Sequence, residues 1–530
     1  MASVFSFGGA TIVAPGFLLR STVSANRVLQ LLPFGTICMI GPSEGGLGNG
    51  TAYRFTDLVL AKRVLRSGPL LNALQTAGSL GGSSGFVAVT AGAKSPSAAV
   101  IAATAPGTAT LSSGDNGTYT AAFQYRIAVP GTTSGFAITF KYIDQNGATN
   151  LIGGPGTIYD NLLDFNALAA AMAKDSLVTP AQGTGFQPIF KLAVATNGIP
   201  TATAGFVSLA GGTGGASQVL AFSDYKTAID SLIDIPFDIA HLVGAYDGPS
   251  QAYADGQAQQ VAALGFLRSW VHQVSVPGAN AAQTKPQNSA AVTAAGVAAA
   301  QALNSRRSSM CSQQLRALNL ATGQSPFVDA AWVYCGLLAL VGATGDNGPS
   351  TPITYEYPTT VSDIDYPILR TTKDVDTAIL GGLVVFERVN FNGLGSVRVV
   401  QSVTTAPNDA SGNPWYFAEI SVQRGSDALQ TNIKAALEGS NPKVIGAGAL
   451  SRSLTHAITV VRDILENAVT SAWIAGFSVA SISITPVGAT GNDFIVKYGA
   501  NPVLPINHIG LDQALEPFQV PVSLGGGVNG

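Results

Sequence analysis

The sequence predicts a mixed α+β chain of several domains, with a β-rich module set into it and an extended arm at each end. Three observations carry this. A length of 530 residues corresponds to roughly three or four domains at ~150 residues each. Helical and strand-like apolar periods alternate before residue 85 and after residue 204. Between those points Val, Thr, Ser and Gly dominate and charge nearly vanishes.

Residues 1–20 are apolar, broken by Gly8, Gly9, Pro15 and Gly16, and show no helical period. They read as an N-terminal arm whose apolar residues are Phe5, Phe7, Ile12, Val13, Phe17 and Leu18. Residues 21–84 begin a core domain: a strand from Gly35 to Ile40, the Gly-rich loop 41–50, and a helix capped by Thr56 with Leu58, Ala61 and Leu65 on one face. Gly68-Pro69 is expected to stop that helix. Residues 85–204 form the inserted module, with turns at 115–117 (DNG) and 145–147 (QNG), the alternating strand 136–143 and a short helix near Leu162–Lys174. The core domain resumes over 205–370. Tyr225, Ile229, Leu232 and Ile233 mark a helix ending before Pro236, residues 239–246 a buried strand, and the Ala-rich stretch 290–303 another helix.

A last α/β unit covers 371–500. It opens with a helix closed by Gly381-Gly382, then strands 383–389 and 396–405, then the stretch 415–423. One helix follows with Leu429, Ile433 and Leu437, and a longer one with Leu454, Ile458, Val461, Leu465 and Val469 on one stripe. A hairpin over 481–498 closes the unit. From 501 the chain is a C-terminal arm, apolar at Ile506, Ile509, Leu511, Phe518 and Val520.

Composition narrows the function. Charged residues are 11% of the chain, under half the ~25% usual in soluble proteins. With 46% hydrophobic residues the chain is not intrinsically disordered. A net charge of -3 argues against direct nucleic-acid binding, which needs clustered Lys and Arg. A long chain with few charges is expected to place much of its surface against copies of itself. Membrane insertion is not expected: the most apolar stretch, Ala330 to Ala343, has 14 residues between Asp329 and Asp346, and a span needs ~20. The N-terminus has no basic region before its apolar residues and does not read as a signal peptide. Cys38, Cys311 and Cys335 are widely spaced, as buried free thiols rather than a disulfide or zinc framework.

Candidate chemistry is sparse. Gly41 and Gly46 have P-loop spacing, but Leu47 and Gly48 stand where Lys and Ser/Thr are needed. Ser83 sits in a G-x-S-x-G match, the one handle for an α/β hydrolase, yet it opens a strand instead of a helix. His241, His272, His456 and His508 are isolated. Asp363 with Asp365 and Asp374 with Asp376 read as carboxylates flanking a helix start. Arg306-Arg307 is a single basic pair. No catalytic, metal or cofactor site is expected, and the chain is not expected to be an enzyme.

A set of weak motifs in a fixed order resembles the phage tail sheath family, the subunits of contractile tails and related injection machines. Ala14-Pro15-Gly16-Phe17 is similar to the family's N-terminal Pro-Gly motif, and GTICMIGPSEGG (35–46) to its strand-then-glycine opening. FVSLAGGTGG (206–215) before the helix at Tyr225, ALNSRRSSM (302–310) and PFVDAAWVYCGLLA (326–339) resemble later segments. The order of elements from the Gly-Gly strand at 381–389 through GSVRVVQSVTT (395–405), two helices and the hairpin is the strongest likeness. The module at 85–204 matches least and is expected to face outward. The resemblance implies a helical homopolymer of stacked rings around an inner tail tube protein, with baseplate and tail terminator at its ends. It implies shortening that drives the tube through a target envelope, without a nucleotide or other cofactor. The particle would be a virion tail assembled in the host cytoplasm, or the sheath of a non-phage injection or secretion system. The family places a helix of the C-terminal unit against the tube. That implies a tube contact at Arg462 and Glu466, spaced i, i+4 on the longest helix, and inter-subunit strand addition by both arms.

Overall fold

The computed structural model describes residues 5–7, 10–12, 35–104, 107–113, 116–117, 120, 123–129, 135–143, 149–151, 158–174, 178–181, 185–188, 190–218, 220–232, 235–244, 276–279, 288–365, 367–391, 394–412, 418–440, 449–487 and 493–504. Its architecture is mixed α+β. The first sheet is ordered Ile239–Leu242, Thr36–Gly41, Gly85–Thr90, Thr51–Phe55, the first three parallel and the last antiparallel. These strands are short, nearly continuous apolar runs, as expected where both faces are covered. Alternate residues divide between two cores. Ile37 and Met39 face one cluster, while Cys38 and Ile40 face the other.

The helices after the first strands have local causes. Helix α1 (Leu58–Leu65) is capped by Asp57, whose carboxylate accepts from the Val59 N–H at 2.8 Å, and not by Thr56. Asp57 is the residue whose backbone is extended just before the first helical residue, and its carboxylate is a stronger acceptor than a hydroxyl. Gly68-Pro69 separates two helices. Pro69 is the first residue of α2 (Pro69–Gly78), where its fixed φ and missing N–H cost nothing, and Gly68 turns the chain at φ +106°.

Besides a separate two-stranded sheet that pairs Val178–Ala181 with Gly185–Pro188, residues 98–208 build two antiparallel sheets that share one core. One is ordered Thr149–Leu151, Phe136–Ile143, Phe123–Ala128, Val207–Ser208, with Ile158–Leu162 also paired to Phe136–Ile143. The other is Phe190–Thr196, Thr108–Ser113, Ala98–Thr104, Ile199–Pro200. Helix α3 (Phe165–Lys174) packs on their shared core, where the Phe140 and Phe190 rings stack at 4.4 Å. Alternation produces this layer: in Phe123–Ala128 the residues run buried, half-buried, buried, exposed, buried, exposed. The shift in composition at residue 85 begins one strand too early to mark the module, because Gly85–Thr90 is an interior strand of the first sheet. Two antiparallel bridges, Ser95 with Thr213 and Ala98 with Ala210, hold the module's two connections side by side.

Helices α4 (Phe222–Asp230) and α5 (Ser289–Leu303) pack on the Cys38 side. Helix α6 (Ala330–Thr344) is buried nearly all round on the opposite side, as a helix apolar on every face must be. It lies so close to α2 that a Cβ on Gly336 would meet the Ala77 carbonyl at 2.4 Å. No helix among the described residues is long and apolar enough to cross a membrane. A second sheet is ordered Val276–Ala279, Ser308–Cys311, Leu383–Phe391, Leu394–Gln401, and helix α7 (Asp374–Leu380) precedes its hairpin. The hairpin strands Leu383–Phe391 and Leu394–Gln401 contribute to both large cores, so the boundary expected at 371 falls inside the body.

Helix α8 (Ile420–Ser440) starts inside the stretch 415–423. Its first residue, Ile420, belongs to the large core, whereas Ala428, Leu429 and Ile433 belong to a separate cluster with helix α9 (Ala449–Thr470). Val461 and Leu465 of the expected stripe are buried, Ile458 is half-buried, and Val469 turns outward. Two small antiparallel sheets complete this unit: Ile474–Phe477 with Ala500–Pro502, and Ser483–Val487 with Asp493–Lys497.

Candidate functional site

Several of the residues weighed for catalysis are engaged structurally. The Ser83 hydroxyl donates to the Gly85 carbonyl at 2.7 Å and accepts from the Gly85 N–H at 3.3 Å, sealing the turn into strand Gly85–Thr90. His241 is fully buried on strand Ile239–Leu242, opposite Met39 of the next strand. His456 lies exposed on α9, and His272 and His508 lie outside the described residues. Asp374 and Asp376 occupy the first turn of α7. Asp363 instead lies on strand Val361–Ile364 and pairs with Arg388 at 2.5 Å. Arg388 lies on the neighbouring hairpin and also donates to the Ile364 carbonyl, which fixes Asp363 in the sheet and not at a helix start. Among the described residues no group of His, Cys, Asp and Glu could hold a metal ion. Cys38, Cys311 and Cys335 are free and buried, and burial pushes all three thiols up.

The loop at 41–50 presents carbonyls where a phosphate-binding loop presents N–H groups. The Lys94 ammonium donates to the Ser43 carbonyl and hydroxyl and to the Gly45 carbonyl, the last at 2.8 Å. Asn116 of the module donates to the Leu47 carbonyl, and the Glu44 carboxylate accepts from the Ala216 N–H at 3.2 Å. The loop therefore anchors the module to the body.

A polar seam joins the first turns of α8 to the body. Arg307 grips Asp427 through Nε and Nη2, at 2.7 and 2.8 Å, and Gln423 donates to the same carboxylate at 2.7 Å. Arg424 is fully buried and donates to the Leu338 carbonyl of α6 at 2.6 Å. Burial lowers its guanidinium to about 10 against the opposing pull of Tyr334 and Asp238. Burial also raises Asp238, although its carboxylate accepts from the Gly35 and Thr36 N–H groups at 2.9 and 2.8 Å. The Tyr334 and Ser402 hydroxyls bond to each other. Glu419, immediately before α8, is 3% exposed, and burial pushes its carboxyl up to about 8. Sequence reading named Arg307 only as half of a basic pair and passed over the polar residues of α8 that it meets. Their only signal was rarity, polar side chains on an element whose neighbours were assigned to the core.

The arm and tube residues are distributed as follows. Phe5 and Phe7 lie on strand Phe5–Phe7, which pairs with Ala10–Ile12 in the register Phe5 to Ile12. Val13, Phe17, Leu18, Ile506, Ile509, Leu511, Phe518 and Val520 lie outside the described residues. Arg462 and Glu466 form an ion pair at 3.5 Å on the outward side of α9, away from the buried Val461, Ile464 and Leu465. Both two-stranded sheets of the C-terminal unit have open edges among the described residues. Beside them runs a cleft of about 810 Å³ lined by Val422, Leu429, Trp473, Ile474, Val496 and Tyr498.

The chain is thus an α/β body carrying a β-rich insert and ending in a two-helix unit with two small sheets. The fold is that of the sheath tail proteins. The sheath tail protein from Listeria innocua superposes with a TM-score of 0.58 at 12% identity, covering 89% of this chain and 92% of that one. The sheath tail protein from Desulfitobacterium hafniense gives 0.54 at 14% identity, covering 89% and 98%. No protein-family model and no curated protein matches the sequence.

Proposed function

We propose that the protein is the structural subunit of a contractile tail sheath, polymerising helically around an inner tube and shortening to drive it through a target envelope. The observation that carries this reading is the fold shared with two sheath tail proteins over nearly their whole lengths. A chain with 11% charged residues supports close packing against identical copies, since few like charges must be brought together. The open edges of the two small sheets favour strand addition, in which main-chain hydrogen bonds join chains and alternate side chains give register. In this reading residues 1–20 and 501–530 supply the added strands to neighbouring subunits. Phe5, Phe7, Ile12, Val13, Phe17 and Leu18 work in one arm, and Ile506, Ile509, Leu511, Phe518 and Val520 in the other. Arg462 and Glu466 on α9 face the tube, the module lies outward, and baseplate and terminator cap the ends. The subunit is made in the host cytoplasm and ends in the virion tail.

Electron microscopy of the purified protein, alone and with a tube protein, tests the reading. Tubes or stacked rings are expected. Deleting 1–19, or separately 510–530, should leave a folded chain that builds no polymer. A strictly monomeric species across concentration, salt and added tube protein overturns the proposal.

A further inference from the structure

One weakly compensated acid in the seam is Glu419. Its backbone is tied to the body: residue 419 forms an antiparallel bridge with Val403, and the Ile420 N–H donates to the Ser402 carbonyl at 3.2 Å. Its side chain is enclosed at 3% exposure. The Thr354 hydroxyl reaches one carboxyl oxygen at 3.4 Å, Gln401 is its other polar neighbour, and the second oxygen is buried without a close donor. Among the described residues no Lys or Arg forms an ion pair with it. The charged and titratable groups on the elements packed around it are otherwise occupied. Arg398, on the strand before it, pairs with Glu387 at 2.6 Å. Arg424, further along α8, donates to Leu338 and is coupled to Tyr334 and Asp238. Tyr334 of α6 bonds Ser402, Cys311 lies beside Tyr334, and Glu356 sits two residues past Thr354.

We propose that Glu419 is a protonation-dependent latch: neutral, it lets the first turn of α8 seat in the body, and ionised, it releases α8 together with the C-terminal unit that α8 carries. An isolated carboxylate in such a site is far costlier than a carboxylic acid, which needs only modest hydrogen bonding. Release exposes the group to water, where it ionises at the ordinary Glu value. The deprotonated form thus belongs to the open state. The opening constant then rises with pH between the ordinary value and the buried one of about 8, and levels off above it. The apolar cluster around α9 is separate from the body's cores, so the unit can leave without unfolding. This inference stands apart from the sheath reading and concerns the isolated chain.

The test is hydrogen exchange on the full chain from pH 5 to 9, expressed as protection factors so that intrinsic chemistry cancels. Amides of the first three turns of α8 should lose protection about tenfold per pH unit up to about pH 8 and then level, while strand Thr36–Gly41 stays protected. Desolvation also raises Asp329, to about 6, and Asp238, so the variants at Glu419 itself assign the slope between pH 6 and 8. Glu419→Gln and Glu419→Leu should both flatten that segment. A flat wild-type profile in α8 overturns the proposal, as does equal loss in strand Thr36–Gly41. A slope that persists in either folded variant overturns it too. Should neither variant fold, the wild-type comparison of α8 with strand Thr36–Gly41 decides alone.

Discussion

Replacing Gly425 by alanine probes the joint between the body and the C-terminal unit. A Cβ at this position of α8 would lie 1.9 Å from the Ser350 hydroxyl oxygen and 3.1 Å from its Cβ. Ser350 ends the short turn Gly348–Ser350 after α6, and its hydroxyl donates to the Trp473 carbonyl at 2.7 Å. The added methyl overpacks a closed site, at about 1–3 kcal/mol. It also displaces the hydroxyl, leaving the Trp473 carbonyl without that donor at about 1–3 kcal/mol more. Alanine returns about 1 kcal/mol through helix propensity, so the net loss is about 3 kcal/mol. Ser350→Gly removes both clashing atoms and leaves the Ser350 Cα at 3.5 Å, an ordinary contact. In that background Gly425→Ala should become neutral or stabilising. Urea unfolding followed by circular dichroism, run on all four proteins, measures the coupling. An alanine variant as stable as wild type, or an equal loss in both backgrounds, refutes the close approach.

Two further outcomes follow from the structure. Burial raises Asp329, the residue preceding α6, to about 6. An acid with a raised folded value stabilises fully below its unfolded value and loses that contribution as pH rises to the folded one, here between about 4 and 6, a penalty of about 3 kcal/mol at pH 7. Asp329→Asn should therefore match wild type at pH 4 and melt higher at pH 7; a gap independent of pH counts against it. Excising 96–212 and joining the ends with a short Gly/Ser linker should leave a folded body, because the module has its own core. Excision from 86 should not, since it removes the interior strand Gly85–Thr90. If both deletions behave alike by circular dichroism and melting, the module is not a separate packing unit.

Legibility followed how local each cause was. Strands Thr36–Gly41 and Ile239–Leu242 were readable because a short apolar run bounded by turn residues has few other solutions. Helix α5 followed from alanine alone, whereas the apolar run that forms α6 was weighed only as a membrane span, and its likeness to a sheath segment was the one pointer to it. Pro69 was read as a stop because proline ends one helix and begins another with the same geometry; only the chain beyond decides. Composition at 85 misplaced the module because a Val- and Ala-rich strand looks alike in a parallel sheet and in a sandwich. The seam was the least visible part. Ser421, Gln423, Arg424 and Asp427 have the pattern of a solvated helix face, and only the approach of α6 and Arg307 from far along the chain makes them interior. The sheath resemblance came from the order of elements, which survives when individual residues drift, and the structural likeness at 12–14% identity rests on the same order.

The bridges between Ser95 and Thr213 and between Ala98 and Ala210 have a meaning for descent. Neighbouring strands lie about 4.8 Å apart, so the body meets more than a hundred residues of insert as a gap no wider than a hairpin turn. Any autonomous domain whose own ends leave as adjacent antiparallel strands satisfies the same boundary. An insert joined in this way can be exchanged, enlarged or lost without altering the strand pairing of the body. The body and the insert should carry separate genealogies, with the break falling at the paired residues and not at the shift in composition ten residues earlier.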